Sequence, residues 1–179
     1  MLYAFGFQRI GVVLSDLYFV DPDPTPGNEG AERGVRLEVR LLRRPELQGS
    51  IYAAQPIAID RPVWRADLLE TVESAPGSFD RTHHHPAFRG WEPGTRKFEP
   101  ELFADPVAWV GSQLSDLDTL LSNAEMDSTE ADPTDASALR GAVPEILDTL
   151  RRLLARVHGG ELGQPPSDEP LVSARVSWL

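Results

Sequence analysis

VRLEVRLL, residues 35–42, is the stretch on which the fold turns. Val35, Leu37, Val39 and Leu41 fall on one side of it, and Arg36, Glu38 and Arg40 on the other. Successive side chains of a strand point to opposite faces. A period of two therefore predicts a strand with one apolar and one polar face, as in an antiparallel sheet covered on one side. Such a strand needs neighbours. Upstream, 8–14 and 16–20 are dense in β-branched and aromatic residues and read as strand, either two pieces or one with a bend. Between them and Val35, residues 21–32 carry three prolines and two glycines and predict a loop.

Downstream, 51–72 reads as one or two further strands. Ile57, Ile59 and Val63 share one parity, but beyond Pro62 the apolar set becomes Trp64, Ala66 and Leu68. A bulge over residues 60–62 accounts for the switch, because proline cannot donate to a ladder. Arg65 and Asp67 then share the face opposite Trp64. They lie about 7 Å apart by strand rise, close enough to pair or to point together into a site.

Asp105 followed by Pro106 is a helix start, a capping carboxylate with proline at the first turn. Val107, Val110, Leu114, Leu117 and Leu121 continue at helical spacing, and Asn123 is a plausible stop. An acidic linker, 124–135, follows. Val143, Ile146, Leu147, Leu150, Leu153, Leu154 and Val157 form the apolar stripe of a second helix, with Pro144 expected in its first turn and Gly159–Gly160 ending it. Residues 171–179 alternate as a closing strand would. The expectation is a single α+β domain over 1–179: 1–75 mainly β, a His/Arg loop over 76–104, helices over 105–123 and 137–158, and the closing strand. An antiparallel sheet of about four to six strands would carry two antiparallel helices on one face.

The chain has 179 residues, 41% of them hydrophobic, and a net charge of −11. That is enough apolar material for a core. The acidity argues against broad DNA binding, which depends on neutralising phosphates. With no cysteine there is neither a disulfide framework nor thiolate chemistry. No apolar run reaches the ~20 residues of a membrane span, and the first residues lack a basic n-region. A soluble, cytoplasmic protein with no membrane partner is expected.

Against this acidity, residues 78–98, SFDRTHHHPAFRGWEPGTRKF, form a basic island. Arg81, Arg89, Arg96 and the lone lysine, Lys97, face only Asp80 and Glu92, for a balance of +2 before any histidine is protonated. His83, His84 and His85 are three of the four histidines in the chain. Three chemistries fit. His83 and His85 share a face if the segment is extended, and with Asp80 they could ligate a divalent metal as two imidazoles and a carboxylate. Alternatively Arg81, His84, Arg89 and Arg96, joined by Arg65, surround a phosphate-bearing small ligand or an RNA end, with Phe88 or Trp91 stacked on its ring. Lastly, His83 and His85, one of them oriented by Asp67 or Asp80, with Arg81 and Arg65 as the cations, have the makings of metal-independent acid–base catalysis on a phosphodiester. The plainer reading is that the arginines pair with surplus carboxylates and the histidines bond to backbone. Nucleophile-elbow, phosphate-loop and HExxH motifs are absent from the sequence.

VWRAD (63–67) and FDRTHHHPAFRGW (79–91) resemble segments of a group of small actinobacterial α+β proteins, and the likeness extends weakly to 105–109. The resemblance covers about a third of the chain. It implies that the Arg/Asp strand and the His loop belong to one site, and it brings no activity with it. The sixteen arginines against one lysine suit a GC-rich genome of that kind. A looser similarity, an Arg–Asp strand before a histidine cluster, is to toxins of bacterial toxin–antitoxin pairs. The leading expectation is a binding or accessory protein with a His/Arg anion-binding surface and no obligatory cofactor. A small nuclease or toxin-like enzyme and a metal-dependent enzyme are the alternatives. A protein partner or homodimer is expected, with Trp178 as a natural anchor.

Overall fold

The computed structural model describes residues 1–166, so the strand expected over 171–179 and Trp178 lie outside the described residues. Five strands form an antiparallel meander in chain order: β1 (Leu2–Gly6), β2 (Ile10–Val20), β3 (Ala31–Arg43), β4 (Ala58–Thr71) and β5 (His83–His85). A two-stranded ribbon, β6 (Phe88–Arg89) and β7 (Glu92–Pro93), follows. The helices are α1 (Pro100–Ala104), α2 (Pro106–Ser115), α3 (Leu117–Asn123) and α4 (Asp135–His158). This is the small α+β fold that the alternation predicts.

The register turns the alternation into two opposed faces. Val12 pairs with Val39 and Val39 with Trp64; one step along, Leu14, Leu37, Ala66 and His84 make a row across four strands. This apolar face is buried by Leu102 of α1, Val110 and Leu114 of α2, and Leu139, Ile146, Leu150 and Leu153 of α4. α4 crosses β2 and β3, and α2 lies beside α4. Each of those fully buried aliphatic side chains is worth about 1.5–3 kcal/mol over its exposed state. Gly111 lets α2 approach α4 closely, since a Cβ there would stand 2.8 Å from a methyl of Leu147.

Several boundaries differ from expectation for local reasons. Residues 8–20 give a single strand, Ile10–Val20, and Leu2–Gly6 adds an edge strand that was not foreseen. Residues 51–57 are turn and coil, with Tyr52 91% exposed, so β4 begins only at Ala58. The β3–β4 register shifts on either side of the Arg40–Pro62 pair, where the parity of the apolar residues changes. The helix expected over 105–123 is two helices. The Asp116 carboxylate accepts hydrogen bonds from the backbone N–H and hydroxyl of Thr119 and starts α3 afresh. α4 begins at Asp135, so Pro144 is inside the helix rather than in its first turn. The start is anchored by the buried Asp135 carboxylate, which accepts from the amides of Gln8, Arg9 and Asp132. Among the described residues, no helix is long and apolar enough to cross a membrane.

Candidate functional site

The second sheet face carries charged side chains that are buried or half-buried rather than open to solvent. Its two central rows run Val13–Glu38–Arg65–His85 and Ser15–Arg36–Asp67–His83. The three-residue strand β5 exists because β4 supplies its ladder: Arg65, Ala66 and Asp67 pair with His85, His84 and His83. Thr82 adds a clamp, its hydroxyl bonded to the carbonyl and amide of Leu69.

Asp67 is the centre of this face and is 1% exposed. Arg36 donates to it from two nitrogens, Nε to Oδ1 at 2.6 Å and Nη2 to Oδ2 at 3.2 Å, a bidentate fork. Arg65 Nε lies 3.0 Å from Oδ2, but its N–H does not point at the oxygen. His83 Nε2 is 3.5 Å and His85 Nε2 3.8 Å from the same Oδ2. Burial by itself would raise the Asp67 carboxyl. The guanidiniums of Arg36 and Arg65 outweigh it and hold the group well below the usual carboxylate range.

The two imidazoles are held from behind. His83 Nδ1 bonds the carbonyl of Arg81 at 2.9 Å, and His85 Nδ1 bonds the carbonyl of Gly94 at 2.8 Å. Burial, with the cation of Arg65 beside it, pushes the His85 imidazole down to about 4. Burial also lowers His83, against the pull of Asp67. Both rings are therefore neutral at pH 7. Asp67, His83 and His85 each offer one ligand atom to a metal, and these atoms lie within 4.8 Å of one another.

Beside this cluster is a cavity of about 170 Å³ lined by Ser15, Arg36, Glu38, Arg40, Arg65, Phe88 and Trp91, among others. Arg40 stacks on Trp91 and Arg65 on Phe88, each guanidinium carbon 5.5 Å from a ring centroid. Glu38 accepts from Arg40 Nη1 at 2.5 Å. Arg40 and Arg36 were read from sequence only as the polar side of a strand. Their shared parity, four residues apart with Glu38 between them, is the available signal, but the proximity of Arg36 to Asp67 and of Arg40 to Trp91 depends on long-range register.

The remaining expected residues divide clearly. His83, His85, Arg65 and Asp67 are brought together. His84 is not with them: it faces the helix side, its ring 4.8 Å from that of Trp109 and 6.4 Å from that of Trp64. Burial lowers its imidazole, and its nearest carboxylate is Glu99 at 3.6 Å. Asp80 is not the carboxylate beside His83 and His85. It accepts from the Thr71 amide and from the hydroxyls of Thr71, Ser74 and Ser78, closing the β4–β5 turn, and Asp67 takes its expected place. Arg81 donates to the carbonyls of Gly27 and Glu29 and to the Asn28 side chain, pinning the loop before β3. Arg89 is exposed at the ribbon, Trp91 is 61% exposed, and Arg96 is exposed with its charge felt at Glu32 and His83. Compared with protein-family models, curated proteins and solved structures, the chain matches none.

Proposed function

We propose that this protein binds a small phosphate-bearing anion on the charged face of its sheet, with an aromatic part of the ligand stacked at Phe88 and Trp91. The charge balance supports this. The cavity is lined by three arginines, Arg36, Arg40 and Arg65, and one carboxylate, Glu38, with Asp67 bonded to Arg36 beside it, a local excess of positive charge in a chain of net −11. The observation that carries the reading is Arg65. It lines the cavity, it is largely buried, and its Nε has no hydrogen-bond partner among the described residues. A buried guanidinium donor left unspent costs free energy until an acceptor arrives. The cavity is smaller than the roughly 300–1,000 Å³ of pockets that enclose drug-sized ligands, so it suits a phosphate group with its organic part outside.

Phenyl phosphate joins the two features in one probe. Calorimetric titration in chelator-containing buffer should show phenyl phosphate binding at least about fivefold more tightly than inorganic phosphate, since a stacked ring is worth about 1–3 kcal/mol. Arg65→Gln should weaken both ligands, and Trp91→Ala should abolish the difference between them. Equal, weak binding of both anions that Arg65→Gln leaves unchanged would overturn the reading.

A further inference from the structure

We infer that Asp67, His83 and His85 form a binding site for a divalent transition-metal ion of the zinc type. The argument is a count of hydrogens. A backbone carbonyl only accepts hydrogen bonds, so the Nδ1 atoms facing the Arg81 and Gly94 carbonyls must each carry the ring's hydrogen. A neutral imidazole has one N–H, and Nε2 of each ring is therefore a bare lone pair. Both lone pairs converge on Oδ2 of Asp67, at 3.5 and 3.8 Å, and an ionised carboxylate is also only an acceptor. Oδ2 already takes one hydrogen from Arg36 Nη2, but the two imidazole lone pairs facing it have none. His85, 3% exposed, has no partner for Nε2 among the described residues.

A single water could donate to both lone pairs without engaging Oδ2. A cation satisfies all three at once. Two imidazoles and a carboxylate are a donor set for zinc, iron(II) or manganese(II), and the Nδ1–H to carbonyl bonds are the outer contacts that orient metal-bound histidines. A tetrahedral ion with bonds of about 2.0–2.1 Å sets its ligand atoms about 3.3 Å apart, a few tenths of an ångström inside the two carboxylate–imidazole distances, while all three atoms lie within 4.8 Å of one another, so the rings close in on binding. The guanidiniums oppose the cation. Arg36 occupies Oδ1 and one side of Oδ2, which leaves Asp67 as a one-oxygen ligand. Arg65 Nε stands 3.0 Å from Oδ2, with Glu38 Oε1 3.9 Å from its Nη1 as a second counter-charge toward which it can turn. The inference does not depend on the anion reading, which concerns the adjoining cavity.

Two measurements on the full chain test it. The first needs no variant: long-range ¹H–¹⁵N spectra of the chelator-treated protein at pH 7 should show His83 and His85 as the Nδ1–H tautomer. Zinc should then shift both Nε2 signals, and an Nε2–H tautomer at either ring overturns the proposal. The second is calorimetry with Zn²⁺ and visible spectroscopy with Co²⁺. One equivalent should bind, and His83→Ala and His85→Ala should each lower affinity by at least about tenfold. Asp80→Ala should leave it unchanged. Zinc binding that is absent from the native chain, or that survives both histidine substitutions, refutes the site. Phosphate titrations in chelator report on the anion reading separately, so either reading can fail alone.

Discussion

Asp67 carries more of this structure than any other side chain, because two guanidiniums rely on it. Arg36 spends two nitrogens on its oxygens, and Arg65 sits against Oδ2 with only the more distant Glu38 as a second counter-charge. Removing one partner of a buried ion group leaves the others charged, desolvated and unpaired. Asp67→Asn should therefore destabilise the fold by about 3–5 kcal/mol in urea unfolding, far more than loss of an exposed pair such as Arg152–Asp148, which would cost about 0–1 kcal/mol. A similar cost for the two changes would mean that water reaches Asp67 and that the face is not the buried array described. Sequence reading placed Arg65 and Asp67 on one face by parity alone. It could not choose between Asp67 and Asp80 as the neighbour of the histidines. That choice rests on β4 and β5 lying side by side in one register, and no local pattern encodes it.

At the scale of the element, strands were easier to foresee than helix ends. β3 announces itself by strict alternation, and the irregularity at Pro62 by a change of parity. β1 has only five residues and is largely exposed, so it lacks the apolar repeat that would mark it. β5 is three histidines, a composition with no strand signature, and it becomes a strand only when β4 offers it a ladder. α4 departs from expectation in the other direction. Its packing against β2 and β3 extends the helix back through Pro144 to Asp135. Pro144 is exposed, lacks the N–H that would bond the Arg140 carbonyl, and crowds that carbonyl with its ring. Proline in a helix interior costs about 3 kcal/mol relative to alanine, offset in part by the stiffer unfolded chain. Pro144→Ala should thus raise the unfolding midpoint, by roughly 1–3 kcal/mol in stability. A fall in the midpoint would show that the proline ring is needed for α4 to pack on the sheet. The glycine at position 34 makes the opposite demand, since any Cβ there would lie 2.0 Å from the Leu68 carbonyl oxygen.

For the molecule as a whole, the neutral buried histidines set how stability follows pH. His85 falls from an ordinary 6.5 to about 4 on folding, and His83 moves the same way. The charges facing them are Asp67, Arg65 and Arg96, and desolvation outweighs the attraction of Asp67. Between these pH values the unfolded chain binds more protons than the folded one. The stabilisation is complete above about pH 6.5 and is lost as the pH falls toward 4, on the order of 3 kcal/mol from His85 alone. Urea midpoints of the chelator-treated protein should already drop between pH 7 and pH 5, before ordinary carboxylates titrate. A flat profile over that interval would mean that these imidazoles are solvated or already charged. The overall architecture, a meander with helices on one face, was legible because hydrophobic periodicity is local. The charged face was not, because it comes from four strands placed side by side.

Gly94 links the two halves of that face. Its carbonyl holds the ring of His85, and it directly follows β7, within three residues of Trp91. The Gly94 amide donates to the Ala87 carbonyl at 2.9 Å, and a Cβ at this position would press to 2.8 Å from the same oxygen. The peptide is therefore a latch with a single seat. A pull on the indole that lifted the ribbon would draw on the same peptide that seats the imidazole, so the rim and the buried nitrogen hang from one hinge point.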